Sequence, residues 1–138
     1  MRFLLDTNVV SELRKTNPNQ NVIAWNKAHS AAEAYLSVLV VGEIRQGIER
    51  LRPRDPHRAE ALQRWLTGLI ASFQDRVLPV TTDIAIEWGR MNVPPAPPPV
   101  VDGLIAATAK VHRLTLVTRN IAGISRTGVS TVNPFESR

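Results

Sequence analysis

The sequence predicts an α/β domain, a mostly parallel central sheet with helices on both faces. Three observations lead there. Short apolar runs of strand length alternate with longer segments of helical period along the whole chain. The central runs are mostly apolar and do not alternate strictly with polar residues, as suits strands covered on both faces. The 138 residues, 43% of them hydrophobic, suffice for one packed core and are too few for two ordinary ones, so residues 1–138 read as a single domain.

The first strand runs from Arg2 to Leu5 and ends at Asp6. Thr7 or Asn8 can cap the helix that follows, in which Val9, Val10 and Leu13 are helically spaced; Asn17-Pro18-Asn19 stops it. Val22, Ile23, Trp25 and Ala28 suit a short second helix, and Ala34–Ser37 is the second strand. From Val38 or Leu39 to Leu51 the pattern turns helical through Val40, Val41, Ile44 and Ile48. Pro53 and Pro56 mark a loop before a long helix over His57–Phe73. Val77–Val80 is a third strand, and Asp83–Met91 another helix. Five prolines between Pro94 and Pro99 exclude helix and form a stiff loop. A helix over Val100–His112 leads into a strand at Leu114–Val117. Gly123 and Gly128 mark a loop, and Val129–Val132 is a last edge strand.

Composition narrows the function. With no cysteine, disulfides and thiolate metal sites are excluded, which suits a reducing cytoplasm. Asp6 interrupts the N-terminal apolar run too early for a secretory signal, and Tyr35–Val41 is far shorter than a membrane span, so no membrane association is expected. Seventeen Lys and Arg against 12 Asp and Glu give a formal charge of +5, which favours polyanionic or acidic partners. Only Lys15, Lys27 and Lys110 are lysines; the remaining cations are arginines, which grip phosphate and carboxylate bidentately.

Ligands of open α/β sheets bind beyond the carboxyl ends of the strands. Asp6 stands at such an end, Asp102 in the first turn of a helix, and Asn120 just past a strand. Glu43 sits among Val40, Val41 and Ile44 with Gly42 beside it, where a carboxylate needs a partner or an ion. Three dispersed carboxylates that converge provide the oxygen ligands that Mg²⁺ or Mn²⁺ prefers. His29, His57 and His112 show no paired ligand spacing. Taken singly, each residue also has a structural reading: Asp6 or Thr7 as a cap, Asp102 as a helix-dipole partner, Glu43 as a solvated edge residue, Asn120 as a turn residue.

Four segments together carry a resemblance: Leu5-Asp6-Thr7-Asn8-Val9-Val10-Ser11-Glu12-Leu13-Arg14, Leu36–Ile48 around Gly42-Glu43, Val101-Asp102-Gly103-Leu104-Ile105-Ala106-Ala107-Thr108-Ala109, and Leu116-Val117-Thr118-Arg119-Asn120. In this order, and with the ending Val132-Asn133-Pro134-Phe135, the chain resembles PIN-domain ribonucleases, specifically VapC-type toxins of the FitB-like branch. The resemblance implies metal-dependent endonucleolytic cleavage of RNA with Mg²⁺ or Mn²⁺, and inhibition by a cognate VapB-like antitoxin. It also implies a homodimer, and contact with DNA only through the antitoxin. Carried over, Asp6, Glu43 and Asp102 fall on the metal-binding acidic positions, Thr7 on a hydroxyl beside them and Asn120 on a nearby polar position. Arg14, Arg45 and Arg119 are candidate contacts to an RNA backbone or to the antitoxin.

Two departures stand out. Relatives often carry an acidic residue three positions after the asparagine, where this chain has Gly123, which puts a second metal in doubt. The segment before Asp102 is short and rich in proline. The rival reading is a catalytically degenerate domain of the same family that binds RNA or antitoxin without cutting. A phospho-acceptor receiver fits less well, because Asp6 is followed by Thr7 and Asn8 rather than by a second acid.

Overall fold

The computed structural model describes residues 1–136. Its strands are β1 (Phe3–Leu5), β2 (Ala34–Ser37), β3 (Val77–Leu78), β4 (Thr115–Val117) and β5 (Thr131–Val132). They form one sheet in the order β3-β2-β1-β4-β5, and every pairing is parallel. β1 lies at the centre, with Phe3 opposite Ala34 on one side and Thr115 on the other. The helices are α1 (Thr7–Arg14), α2 (Gln20–Lys27), α3 (Val38–Leu51), α4 (Pro56–Phe73), α5 (Thr82–Met91), α6 (Val100–His112) and α7 (Ile121–Ile124).

Successive side chains of a strand point to opposite faces, yet Phe3, Leu4 and Leu5 are all buried, as are Thr115, Leu116 and Val117. Both faces of the central strands are therefore covered, which accounts for their mostly apolar character. α6 is the most enclosed helix, burying Ile105, Ala106, Ala107, Thr108 and Ala109. Each fully buried Leu or Ile, such as Leu36 or Ile105, contributes about 1.5–3 kcal/mol of transfer free energy. No helix among the described residues is long and apolar enough to cross a membrane.

Differences from the sequence reading have local causes. α4 begins at Pro56 rather than His57, because proline is well suited to a first helical turn and Asp55 caps it by accepting from the Arg58 N–H at 3.1 Å. β3 stops at Leu78, since Pro79 has no N–H for the ladder. Leu114 is not in β4: its N–H closes the end of α6 on the Ala109 carbonyl at 2.8 Å, after Arg113 turns left-handed at φ 56°. The expected loop at Gly123 is instead the short helix α7. β5 is confined to Thr131–Val132.

Candidate metal centre

The carboxyl edge of the sheet gathers the chemistry. Asp6 follows β1 directly, and its own N–H donates to the Val117 carbonyl at the end of β4 at 3.0 Å, which holds two strand ends together. Asp6 itself, not Thr7 or Asn8, caps α1: its Oδ1 accepts the Thr7 N–H at 2.8 Å. Its other oxygen, Oδ2, accepts the Thr118 hydroxyl at 2.7 Å and, at 3.5 Å, the Asn8 carboxamide. With both oxygens engaged, the carboxylate is fixed in orientation.

Thr7 serves as the bridge to α3. Its hydroxyl donates to Glu43 Oε1 at 2.6 Å, so Glu43 turns towards the Asp6 edge and not away from it. α3 is placed for this by Ser37, which ends β2 and accepts the Leu39 N–H at 3.0 Å. Asp102 lies in the first turn of α6, half-buried. Burial first, and the nearby charge of Asp6 second, push its carboxyl above the ordinary carboxylate value. Asp6 and Asp102 are thus electrostatic neighbours, while Glu43 is linked to Asp6 through Thr7, whose hydroxyl meets Glu43 and whose N–H meets Asp6. Among the described residues no three His, Asp or Glu side chains draw into a closed ligand group. Like charges repel, and Glu43 is satisfied by a hydroxyl.

Asn120 takes a different place from the expected one. Its Oδ1 accepts the Gly123 N–H at 3.3 Å and caps α7, and no hydrogen bond from its side chain to the carboxylates is present among the described residues. It joins the site through its backbone, whose N–H donates to Thr118 Oγ1 at 3.1 Å. Gly123 belongs to the same cap: a Cβ there would lie 2.6 Å from Asn120 Nδ2 and 2.8 Å from Oδ1. An acidic residue at this position would have to displace the Asn120 side chain.

Three residues carry roles here that the sequence did not announce: Thr118, Asn8, which was expected only as a helix cap, and Gly103. Thr118 is fully buried and ties Asp6, Asn8 and Asn120 together. Asn8 accepts the Arg119 N–H at 3.2 Å and donates to Thr118 at 3.4 Å. Thr118 stood in one of the family-like segments, but its partner, Asp6, follows the neighbouring strand β1 and is distant in sequence. Gly103 is the third: a Cβ would come within 2.4 Å of Asn92 Oδ1 and 3.1 Å of the Trp88 ring. Glycine there lets α6 close on α5, and Asn92 in turn donates to the Pro98 carbonyl at 3.3 Å, anchoring the proline loop that leads to Asp102.

The arginines separate. Arg45 pairs with Glu49 at 2.8 Å, and Arg119 stacks on the Phe135 ring at 3.8 Å. Arg14 lies over the Trp65 ring at 5.9 Å and has no carboxylate partner among the described residues.

Every donor at this edge is an oxygen, from Asp6, Thr7, Glu43, Asp102 and Thr118, and hard divalent cations take oxygen sets of this kind. A cation would also relieve the charge that Asp6 imposes on Asp102.

Known proteins share the sequence and the fold. The chain is 32% identical to "VapC ribonuclease Y4jK" of Sinorhizobium fredii over 138 residues, 97% of this chain and 98% of the relative. It is 32% identical to "Toxin FitB" of Neisseria gonorrhoeae over 137 residues, 96% of this chain and 98% of the relative. The crystal structure of FitAcB from Neisseria gonorrhoeae superposes with a TM-score of 0.87 at 30% identity, covering 98% of this chain and 99% of that one. The PIN domain family model matches residues 3–129, and the chain belongs to that family.

Proposed function

We propose that the protein is a divalent-metal-dependent endoribonuclease that acts as the toxin of a VapBC-like toxin–antitoxin pair in the cytoplasm. The observation that carries the reading is the pairing of Asp6 with Asp102 at the carboxyl edge of the parallel sheet, with Glu43 linked to Asp6 through Thr7. The full-length likeness to a VapC ribonuclease and to Toxin FitB supports RNA as the substrate and toxicity as the role.

Asp6 and Asp102 would hold Mg²⁺ or Mn²⁺ directly, with Glu43 directly or through water. A bound divalent ion lowers the pKa of water and neutralises charge developing on the scissile phosphodiester. The chain supplies the rest. Thr118 and the α1 N-terminus fix the Asp6 carboxylate. Thr7 ties the two acids together, its N–H on Asp6 Oδ1 and its hydroxyl on Glu43 Oε1, and Glu43 would accept a proton from a water that takes the place of that hydroxyl. Asn120 acts at a distance, by holding the β4–α7 corner on Thr118. With Gly123 in place of a fourth acid, one ion per chain is the expected load.

For the antitoxin, a separate apolar groove between α1 and α4 offers Leu5, Val10, Leu13, Leu69 and Phe73, a surface that suits a protein segment. An antitoxin arginine reaching Asp6 and Asp102 would block the metal centre by bidentate pairing. Assembly as a homodimer is part of the same proposal.

The test is cleavage of a structured RNA with Mn²⁺ or Mg²⁺ by wild type and Asp6→Asn. Asparagine still caps α1, so the fold is kept while the charge is lost. Metal-dependent cutting abolished in Asp6→Asn supports the reading. Wild type that cuts no RNA at any divalent concentration overturns it in favour of a degenerate RNA- or antitoxin-binding domain.

A further inference from the structure

A second groove, of about 310 Å³, adjoins the metal centre at Thr7 and Glu43. Arg14, Arg54, Arg58 and Trp65 line it together with Thr7 and Glu43. None of these three arginines meets a carboxylate within ion-pair distance among the described residues, whereas nearby Lys15 is committed to Glu12 at 2.9 Å. Arg14 and Arg58 are close enough that Arg58, after burial, holds the Arg14 guanidinium below its ordinary value. Two like charges so close, with neither in an ion pair among the described residues, are unfavourable in the free protein.

The placement of Arg58 runs against helix electrostatics as well. It occupies the first turn of α4, whose 18 residues start with no acidic side chain in that turn. A cation at the positive end of a helix dipole is disfavoured, and an anion there is favoured. Arg14, Arg54 and Arg58 therefore gather beside the positive end of α4, where the Asp55 carboxylate is engaged as the N-cap on the Arg58 N–H at 3.1 Å and, among the described residues, pairs with none of the three guanidinium groups. Trp65 supplies a half-buried aromatic face beneath Arg14, the surface on which a base can stack.

We propose that Arg14, Arg58 and Arg54 form a phosphate-binding subsite for the RNA strand next to the scissile bond, with Trp65 as the stacking platform for a base of that strand. This rests on the ribonuclease reading. The arginines neutralise the backbone on one side of the metal centre, so the cut falls at a fixed offset from the strand they hold. The apolar α1–α4 groove adjoins this subsite at Arg14 and Trp65, so a protein bound there would compete with RNA at its edge.

The experiment measures binding of a fluorescein-labelled single-stranded RNA in EDTA, where metal-dependent cutting is off, across a salt series. Wild type is compared with Arg14→Gln/Arg58→Gln and with Arg14→Lys/Arg58→Lys. Loss of two phosphate contacts should lower the slope of log K against log salt by about 1.4 and weaken binding on the order of ten-fold. The lysine pair should recover most of the slope. Trp65 emission should change on RNA binding in wild type and not in a Trp65→Phe variant. With Mn²⁺ present, KM should rise in the glutamine pair while kcat changes little. Removing a like-charge contact should leave the melting temperature unchanged or raised, which certifies the fold.

Unchanged slope and affinity in the glutamine pair overturn the proposal, and so does a wild type that binds no RNA. Unchanged RNA binding together with lost capture of an acidic antitoxin peptide also overturns it, assigning the arginines to a protein partner. Arginine-dependent RNA binding by a wild type that never cuts keeps the subsite and removes the ribonuclease reading.

Discussion

Thr118→Val isolates the contact that aims Asp6. The two side chains have nearly the same volume, and position 118 is fully buried, so packing is conserved and only the hydroxyl is lost. That hydroxyl donates at 2.7 Å to a carboxylate and accepts the Asn120 N–H at 3.1 Å. A hydrogen bond to a charged group is worth about 1.5–3 kcal/mol, and the added methyl offsets part of it. A net loss of about 2 kcal/mol follows, which for the usual unfolding entropy per residue lowers Tm by about 7 °C. Asp6 would then be free to swing off its aim. Removing the partner that orients a metal-binding carboxylate typically costs about 10–100-fold in metal affinity or activity. The assays are thermal unfolding in EDTA and Mn²⁺-dependent RNA cleavage, with Thr118→Ser as the control that keeps the hydroxyl. A Thr118→Val protein with wild-type Tm and wild-type metal dependence would refute the positioning role.

Two further outcomes are expected. The folded state holds the Asp102 proton more tightly than the unfolded chain does. That contribution favours folding at acid pH and is lost as pH rises through the folded value. Asp102→Asn should therefore melt higher than wild type at neutral pH in EDTA, with the gap closing below the ordinary carboxylate range; a constant gap, or a lower Tm at neutral pH, contradicts the Asp6–Asp102 repulsion. Gly103→Ala should cost about 1–3 kcal/mol of unfolding free energy in denaturant titration, because its methyl drives Asn92 off the proline loop; a neutral effect would mean that α5 and α6 do not close so tightly.

How much of this could be read in the sequence depended on the range of the interaction. β1, β2 and β4 were legible because strands covered on both faces are mostly apolar. The places of Asp6 and Asp102 were legible because a strand end and a first helical turn are fixed by local signals, and that of Glu43 because a carboxylate beside the apolar stripe of a helix needs a partner. What escaped was set by partners far away. The Thr118 hydroxyl acts on Asp6, 112 positions earlier. α7 is a single turn made by the Asn120 cap, too short for periodicity to announce it. Asn120 was expected near the carboxylates, yet its carboxamide is committed to that cap. Arg14, Arg45 and Arg119 looked alike as cations, and only the folded chain separates Arg45, paired with Glu49, and Arg119, stacked on Phe135, from Arg14, which lies over Trp65 with no carboxylate partner among the described residues.

The most direct test of the metal centre is calorimetric titration of Mn²⁺ into the purified protein, its Asp6→Asn and Asp102→Asn variants, and Glu43→Gln. One ion should bind per wild-type chain, binding should disappear in both aspartate variants, and it should weaken in Glu43→Gln. Mn²⁺ binding of wild-type affinity and stoichiometry in both Asp6→Asn and Asp102→Asn would contradict the assignment of these carboxylates as the metal site.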